Sequence, residues 1–240
     1  ANLLLALAEA TGDPLLRQFA LLRLSSLAAN GGDPDDAIAK ADTAKSLAIS
    51  PLDHLMADAS KGVALTSANR GPEAYDVLMP LHQHAIANQH SELRAIIDLS
   101  LGASMVIKGE LSKGVRWIEA TRRTFVSWNY VTGIALSHLV LGEGNLRLLD
   151  GRIKPPLIII LKNLGFLLRR RPFAKMNAAR HLRQAEIMFR GFGAPSWLSW
   201  VLADQAELSR ISGDNHQEKI KRAEAEDASA EAAAYLPARE

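Results

Sequence analysis

The stretch RAIIDLSLGASMVIKGELSKGVRWIEA, residues 94–120, contains the pattern that decides the fold. Apolar residues recur at steps of three and four on both sides of Gly109, which is the spacing of one face of an α-helix. Glycine after a helix supplies the left-handed backbone that ends it. The stretch therefore predicts two helices joined at Gly109, with the small residue Gly102 near the middle of the first helix.

The same layout occurs five times along the chain. Each copy has an apolar helix with a small residue near its middle, then a turn, then a more polar helix. The small residues lie at intervals of 37, 40, 40 and 64 and are Ser25, Gly62, Gly102, Gly142 and Ala206. The turns are Gly31-Gly32, Arg70-Gly71, Gly109, Asp150-Gly151 and Gly213-Asp214. Because such a hairpin cannot bury its apolar face alone, the pattern predicts stacked hairpins.

Strand signals are scarce, so the prediction is all-α. The first helices of the hairpins are expected near 13–30, 51–69, 90–108, 129–150 and 194–212. The second helices are expected near 34–49, 72–88, 110–127, 173–192 and 215–235. Residues 1–11 would end a truncated preceding repeat, and 215–240 would form a terminal helix that frays. The expected architecture is a single domain over 1–240, a right-handed α-solenoid of stacked antiparallel hairpins.

Composition narrows the classes of function. The 240 residues are 48% hydrophobic and 22% charged, with a formal net charge of +2, so the whole chain has little attraction for nucleic acid or acidic lipid. There is no cysteine, which excludes disulfides, thiolate metal sites and cysteine nucleophiles. A reducing, cytoplasmic location is expected. The opening ANLLLALAEATGD is too short and too poorly flanked for a signal peptide.

The fourth interval exceeds its neighbours by 24 residues, which places an insertion at about 153–171. Its sequence with flanks is KPPLIIILKNLGFLLRRRPF, residues 154–173. The apolar run Leu157–Leu168 is shorter than the roughly 20 residues of a membrane span. A strand at 157–161 has no evident partner. A helix fits best, because Pro155-Pro156 suits a helix start and Pro172 suits a stop.

The predicted insertion helix has one strongly apolar face. Its residues are Leu157, Ile160, Leu161, Leu164 and Leu168. Since the remaining residues are also mostly apolar, the helix is expected to be buried, on the concave side of the stack or capping an edge. The alternative is docking on another domain or chain. Arg169, Arg170 and Arg171 would lie at its exposed C-terminal end, where positive charge complements the helix dipole.

Two further groups of residues are candidates for contact with a ligand or a partner. The basic group comprises Arg169, Arg170, Arg171, Lys175, Arg180 and Arg183. A solvated face or a contact to another domain is predicted for it, with a phosphate or acidic-lipid surface as the alternative. Trp197 and Trp200, three residues apart at a helix start, are expected to pack in the core; the alternative is a hot-spot pair for a protein partner.

No catalytic residue, metal ligand or cofactor site is predicted. His82 and His84 are two residues apart and point to different sides of a helix, so both are expected to be solvated. His138, with Glu143 five residues on, is expected to be a hydrogen-bonded core histidine. The carboxylates that cluster at one helix start are expected to cap it, and they are Asp33, Asp35 and Asp36. No GxxxxGK[ST] loop or GxSxG elbow occurs.

The hairpins resemble tetratricopeptide repeats that are longer than usual. In residues 94–120 the resemblance rests on Leu101-Gly102, Gly109, Gly114 and Ile118. The tryptophan expected early in that motif is missing, and its positions hold Asp58, Asp98 and His138.

A closer resemblance covers about 109–213. NYVTGIALSHLVLGEGNLRLL (129–149) and the segment from KPPLIIIL to GAPSWL (154–198) are similar to the C-terminal helical-repeat region of large bacterial signalling proteins. In that family a class III adenylate/guanylate cyclase domain is followed by an ATPase-like domain and then by such repeats. The resemblance implies a parent that makes cyclic AMP from ATP, with this chain as its non-catalytic, protein-binding regulatory region. The expected partner is a protein, either another domain of the parent or an unknown one. Membrane-surface or intramolecular docking through the insertion is the alternative.

Overall fold

The computed structural model describes residues 2–30, 32–88, 91–150 and 156–234. Thirteen α-helices and one short 3-10 turn follow one another in these ranges, which contain no strand, and consecutive helices pack against their neighbours. The all-α prediction is confirmed. The described residues form two compact units, one up to residue 108 and the other from 109 to 234.

The first unit consists of six helices. They are α1 (Asn2–Thr11), α2 (Pro14–Asn30), α3 (Pro34–Ser46), α4 (Pro51–Ser67), α5 (Gly71–Ala87) and α6 (Ser91–Ile107). The second unit contains α7 (Leu111–Ser127), α8 (Val131–Leu149), α9 (Leu157–Lys162), α10 (Leu164–Arg170), a 3-10 turn (Arg171–Phe173), α11 (Ala174–Gly191), α12 (Pro195–Ile211) and α13 (Asn215–Ala234). Every predicted hairpin helix is present, and its bounds lie within three residues of those expected.

Helix starts in the first unit follow the capping chemistry of the sequence. The Asp33 carboxylate accepts a hydrogen bond from the Asp36 backbone N–H at 3.1 Å and begins α3. Ser50 begins α4 with a reciprocal cap: its Oγ accepts from the Asp53 N–H at 3.2 Å, and Asp53 accepts from the Ser50 N–H at 2.9 Å. Capping by Asp33 is therefore confirmed.

The repeated small residues allow close approach between the helices of a hairpin. In the first unit, a Cβ atom added to Gly62 of α4 would overlap the side chain of Leu78 on α5. The buried Ser25 hydroxyl of α2 donates to the Ala37 carbonyl of α3 at 2.8 Å. In the second unit, a Cβ atom at Gly142 of α8 would lie 2.6 Å from Leu182 Cδ2 on α11.

The additional residues of the fourth hairpin lie between α8 and α11. Gly62 and its contact Leu78 are 16 residues apart, whereas Gly142 and its contact Leu182 are 40 residues apart. The difference is the 24 residues by which the sequence interval is lengthened. Both pairs make the same kind of contact, so the extra residues leave the helix pairing of the hairpin intact.

One predicted turn uses its glycine in a different way. Gly71 was expected to end the preceding helix, but the residue with left-handed backbone is Asn69, at φ 59°. Gly71 is the first residue of α5, and a Cβ atom there would lie 2.6 Å from Ile107 Cβ. Its small size therefore serves close packing. Gly109 and Gly213 have positive φ, as predicted, and Gly31 and Gly151 lie outside the described residues.

The core of the second unit is formed mainly by α8, α11 and α12. Its central side chains include Leu139, Leu182, Phe189, Val201 and Leu202, each at most 2% exposed. Helix α11 packs against both α8 and α12 and contributes buried apolar side chains to this core. The residues of interest for function lie on or beside this group of helices.

Candidate functional site

The insertion forms two short helices instead of the single helix predicted. The break falls at Asn163, between α9 and α10. The Asn163 side-chain amide is buried and donates hydrogen bonds to the Gly109 and Ile159 carbonyls, each at 2.8 Å. Pro172 was expected to stop the helix; it lies inside the 3-10 turn that leads into α11. The single-helix prediction is wrong because a side chain inside the apolar run bonds to a distant backbone carbonyl.

Three contacts fix the inner side of the insertion to the start of the second unit. Asn163 bonds to Gly109 as described, and the Ile159 side chain lies over the same glycine, within 2.9 Å of where a Cβ atom would be. At the other end, Arg170 Nη2 donates to Glu119 Oε1 on α7 at 3.1 Å. The insertion is thus attached at both of its short helices.

The predicted apolar face of the insertion is turned outward. Leu157 is 70% exposed, Leu161 62%, Leu164 45% and Leu168 68%; only Ile160 is half-buried. The prediction that this face is buried is wrong for these four leucines, because Asn163 and Arg170 bind on the opposite side and orient the segment. Ile158, 74% exposed, lies on the outer side as well. We call Leu157, Ile158, Leu161, Leu164 and Leu168 the insertion face.

Basic residues border the insertion face. Lys162, Arg169, Arg171 and Lys175 are exposed, whereas Arg170 is half-buried in its pair with Glu119. The predicted exposed run of three arginines is therefore correct for Arg169 and Arg171 and wrong for Arg170. Of the remaining basic group, Arg180 and Arg183 are exposed on α11.

Trp197 and Trp200 lie against the core of the second unit. Both are half-buried; their rings meet edge to face with centroids 5.4 Å apart, and Trp197 stacks on Phe189 at 6.1 Å. This is the packing expected of core aromatics. Their role as a hot-spot pair stays a prediction.

A pair of histidines links α8 and α11. His138 Nδ1 lies 2.9 Å from His181 Nδ1, so one ring donates a hydrogen bond to the other. Burial lowers the pKa of both imidazoles from the usual 6.5 to about 4, helped by the positive charge of Arg122 and Arg180. Both rings are neutral at pH 7. His138 is hydrogen-bonded, as the sequence predicts, but its partner is His181, which lies 43 residues further along the chain, on α11.

Two carboxyl groups, Glu143 on α8 and Asp204 on α12, interact electrostatically. Burial raises the pKa of Glu143, and burial together with the negative charge of Glu143 raises the pKa of Asp204 well above its usual value. Arg147 acts on both groups in the opposite direction. Asp204 Oδ2 is buried without a hydrogen-bond partner among the described residues. The pair therefore retains protons at a pH where isolated carboxyls have lost them.

His82 departs from its prediction. It is buried on α5, with Nδ1 2.5 Å from Asp98 Oδ1 on α6, whereas His84 is exposed as expected. The two-residue spacing correctly predicted that the two side chains point to different sides of α5. It did not predict that His82 would lie beside the carboxylate of Asp98 on the next helix. Across residues 2–30, 32–88, 91–150 and 156–234, no three His, Asp or Glu side chains are grouped as metal ligands would be.

The comparisons with known proteins give no assignment. No protein-family model, no curated protein and no solved structure matches the chain. Among its described helices none has the length and apolar character needed to cross a bilayer.

Proposed function

We propose that this chain is a protein-interaction module that regulates a larger protein, and that the insertion face is its contact surface. The observation that supports the proposal is the outward orientation of five large aliphatic side chains on a segment attached by Asn163 and Arg170. Contiguous exposed apolar patches of this kind are uncommon on soluble proteins unless they bind something.

The contacts of the insertion favour a preformed surface. Contacts with the rest of the second unit hold the two short helices in place. Ile159 and Asn163 hold α9 on Gly109, and Arg170 holds α10 on Glu119. A partner therefore meets a segment whose backbone is already held in place, which lowers the entropic cost of binding.

The border of the insertion face defines the chemistry of the partner. Lys162, Arg169, Arg171 and Lys175 are exposed around an aliphatic centre. A complementary protein surface has an apolar groove with acidic residues on its rim, because charge complementarity at a rim steers association and fixes register. Stacked helical hairpins commonly carry such binding surfaces. In this proposal the described hairpins form a right-handed α-solenoid that presents the insertion.

The resemblance of 109–213 extends the proposal to the parent protein. The parent is a bacterial nucleotide-cyclase-like signalling protein, located in the cytoplasm, and this chain acts on its cyclase without performing catalysis. This part is tested by determining the full-length reading frame, which is expected to encode a class III cyclase domain ahead of these repeats. A reading frame without a cyclase domain overturns the assignment to such a parent, but it does not contradict the proposed role of the insertion face.

The contact surface is tested by photo-crosslinking in the cells that produce the chain. A benzophenone side chain replaces Leu161 on the insertion face, and a matched control replaces Ile187, which is 54% exposed on α11. The expected result is a protein adduct at position 161 that is absent at 187. A second variant, Leu157→Ser with Leu168→Ser, is expected to remove the adduct. Equal labelling at 161 and 187 would contradict the proposal.

An acidic lipid surface is the second candidate for the same face. The basic border around aliphatic side chains favours it, since interfacial segments combine these features. The same experiment separates the two candidates: a lipid adduct at position 161, together with flotation on anionic vesicles at low salt, assigns the face to a membrane surface.

A further inference from the structure

A small cavity opens on the first unit where α1, α2 and the end of α3 come together. Its volume is about 280 Å³, just below the range of roughly 300–1,000 Å³ in which most small-molecule pockets fall. The side chains that line it include Ala8, Glu9, Asp13, Pro14, Arg17 and Leu47. Because they come from three helical segments, the cavity results from the packing of the unit and not from the end of one helix.

One part of the cavity lining is apolar. Ala8 on α1 is 1% exposed, and Leu47, the residue that follows α3, is half-buried. Pro14, the first residue of α2, lines the cavity as well. Because none of these three side chains forms hydrogen bonds, this part of the cavity favours an aliphatic group, which gains free energy by leaving water.

The other part of the lining carries charge of both signs. Glu9, Asp13 and Arg17 are exposed and border the cavity together. Oδ1 of Asp13 caps α2 by accepting hydrogen bonds from the backbone N–H groups of Leu15 and Leu16, at 2.9 and 3.2 Å. Within the described ranges, the side chains of Glu9 and Arg17 form neither a hydrogen bond nor an ion pair. Two carboxylates and one guanidinium group are therefore available to a ligand.

We propose that this cavity binds a free α-amino acid with an aliphatic side chain. Glu9 and Asp13 accept hydrogen bonds from the ammonium group of the ligand, and Arg17 donates to its carboxylate. The planar guanidinium fork matches the two oxygens of a carboxylate, and such charge-assisted hydrogen bonds are strong. The aliphatic side chain lies against the apolar part of the lining. The site belongs to the first unit and is independent of the insertion face and of the protein-interaction function proposed above.

Both charged groups of the ligand contribute to this match. An amine without a carboxylate leaves Arg17 without an acceptor, whereas a carboxylate without an ammonium group is repelled by Glu9 and Asp13. A zwitterion avoids both penalties, because each of its charges meets groups of the opposite sign. The proposal therefore predicts that an amino acid binds more tightly than either of the two molecules obtained by removing one of its charged groups.

The test titrates the full chain with leucine and follows backbone amide resonances by NMR. Gly12 lies in the turn between α1 and α2 and lines the cavity, so its amide resonance reports binding. Isopentylamine, which lacks the carboxylate of leucine, and isocaproate, which lacks the ammonium group, are titrated at equal ionic strength. The expected result is a saturable shift with leucine, with a Kd on the order of 1 mM, and an affinity about tenfold lower for each of the other two molecules.

Matched variants locate the binding to the cavity. Arg17→Gln and Arg23→Gln change the same charge at exposed positions of α2, but Arg23 lies over the Phe19 ring, 5.0 Å from its centroid, and is not part of the lining. Asp13→Asn removes a carboxylate and keeps a good helix cap, so the fold is preserved. The affinity for leucine should fall by about tenfold in Arg17→Gln and Asp13→Asn and stay unchanged in Arg23→Gln.

Three outcomes overturn the proposal. The first is a shift that rises with leucine concentration without saturating. The second is an affinity for isopentylamine or isocaproate equal to that for leucine, which would show that the cavity does not recognise a zwitterion. The third is equal leucine affinity in the Arg17→Gln and Arg23→Gln variants, which would place the binding elsewhere on the chain.

Discussion

Gly142 of α8 lies directly against Leu182 of α11, and a Cβ atom on the glycine would be 2.6 Å from Leu182 Cδ2. Leu182 is fully buried, so it has no space into which it can move. Gly142→Ala is therefore expected to reduce the free energy of unfolding by about 1–3 kcal/mol through overpacking. Urea-induced unfolding followed by circular dichroism measures the change.

Gly144 provides the matched control on the same helix. A Cβ atom there would meet nothing within 4 Å. Gly144→Ala is expected to increase stability by about 0.5–1 kcal/mol, because alanine has the higher helix propensity. If both substitutions changed stability in the same direction, the close approach of α8 and α11 at Gly142 would be disproved.

The helix pattern was predictable because it depends on local chemistry and on repetition. Spacings of three and four residues, caps such as Asp33 and Ser50, and small residues at fixed intervals each act over a few turns of helix. The insertion was also recognisable, because the lengthened interval between Gly142 and Ala206 could be read directly from the sequence.

The pairings that define the candidate sites were not predictable from local pattern. The apolar run of the insertion indicated a continuous buried helix. It breaks at Asn163, which bonds to Gly109, 54 residues away, and it faces outward because Asn163 and Arg170 are both bound on its inner side. In the same way, His138 was expected to be hydrogen-bonded, but nothing in its neighbourhood indicated His181. Such contacts depend on how separate helices pack, and local sequence patterns do not determine which side chains meet across two helices.

The bond between Asn163 and Gly109 is expected to control the order of the insertion. Asn163→Ala leaves the buried Gly109 carbonyl without its side-chain donor, which should cost about 1–3 kcal/mol. Because the loss is local, amide hydrogen exchange should become faster over residues 157–170 than in α11 or α12.

Gly165→Ala is the control for the insertion. Gly165 lies on α10, and a Cβ atom there would meet nothing within 4 Å. The substitution is expected to leave hydrogen exchange in the insertion unchanged or slower, because alanine favours helix. Equal acceleration in both variants would mean that Asn163 does not anchor the segment.

Asp58 and Asp98 occupy equivalent positions in successive hairpins, and we expect their removal to have unequal effects. Asp98 lies 2.5 Å from the buried His82, whereas Asp58 pairs at 2.8 Å with Lys45, which is 45% exposed. Asp98→Ala should cost about 1–3 kcal/mol because it removes the carboxylate beside a buried polar ring. Asp58→Ala should cost less than about 1 kcal/mol, as exposed ion pairs do. Chemical denaturation of the two variants side by side tests this, and equal losses would contradict the buried pairing of His82.

The histidine pair is expected to destabilise the fold in acid. The pKa of His181 is about 4 in the folded chain and near 6.5 when unfolded, so the unfolded state binds more protons between these values. Stability should therefore fall as the pH decreases from 6.5 towards 4, by at most about 3 kcal/mol for this group. His181→Asn keeps a polar side chain without the titration, and its loss of stability between pH 7.5 and 4.5 should be smaller than that of the unaltered chain. Parallel slopes in urea denaturation would contradict this assignment.

Glu143 and Asp204 change the stability of the fold with pH in the opposite direction to the histidine pair. Their pKa values are raised in the folded chain, so the folded state holds more protons than the unfolded state, and stability decreases as the pH rises through those values. Asp204→Asn removes a buried carboxyl that Glu143 also repels and is expected to raise the denaturation midpoint at pH 8.5, with little change at pH 4. The exposed Asp227 on α13 supplies the control, since Asp227→Asn should change the midpoint little at either pH. An Asp204→Asn midpoint that follows the unaltered chain across the whole range would contradict the raised pKa of the Asp204 carboxyl.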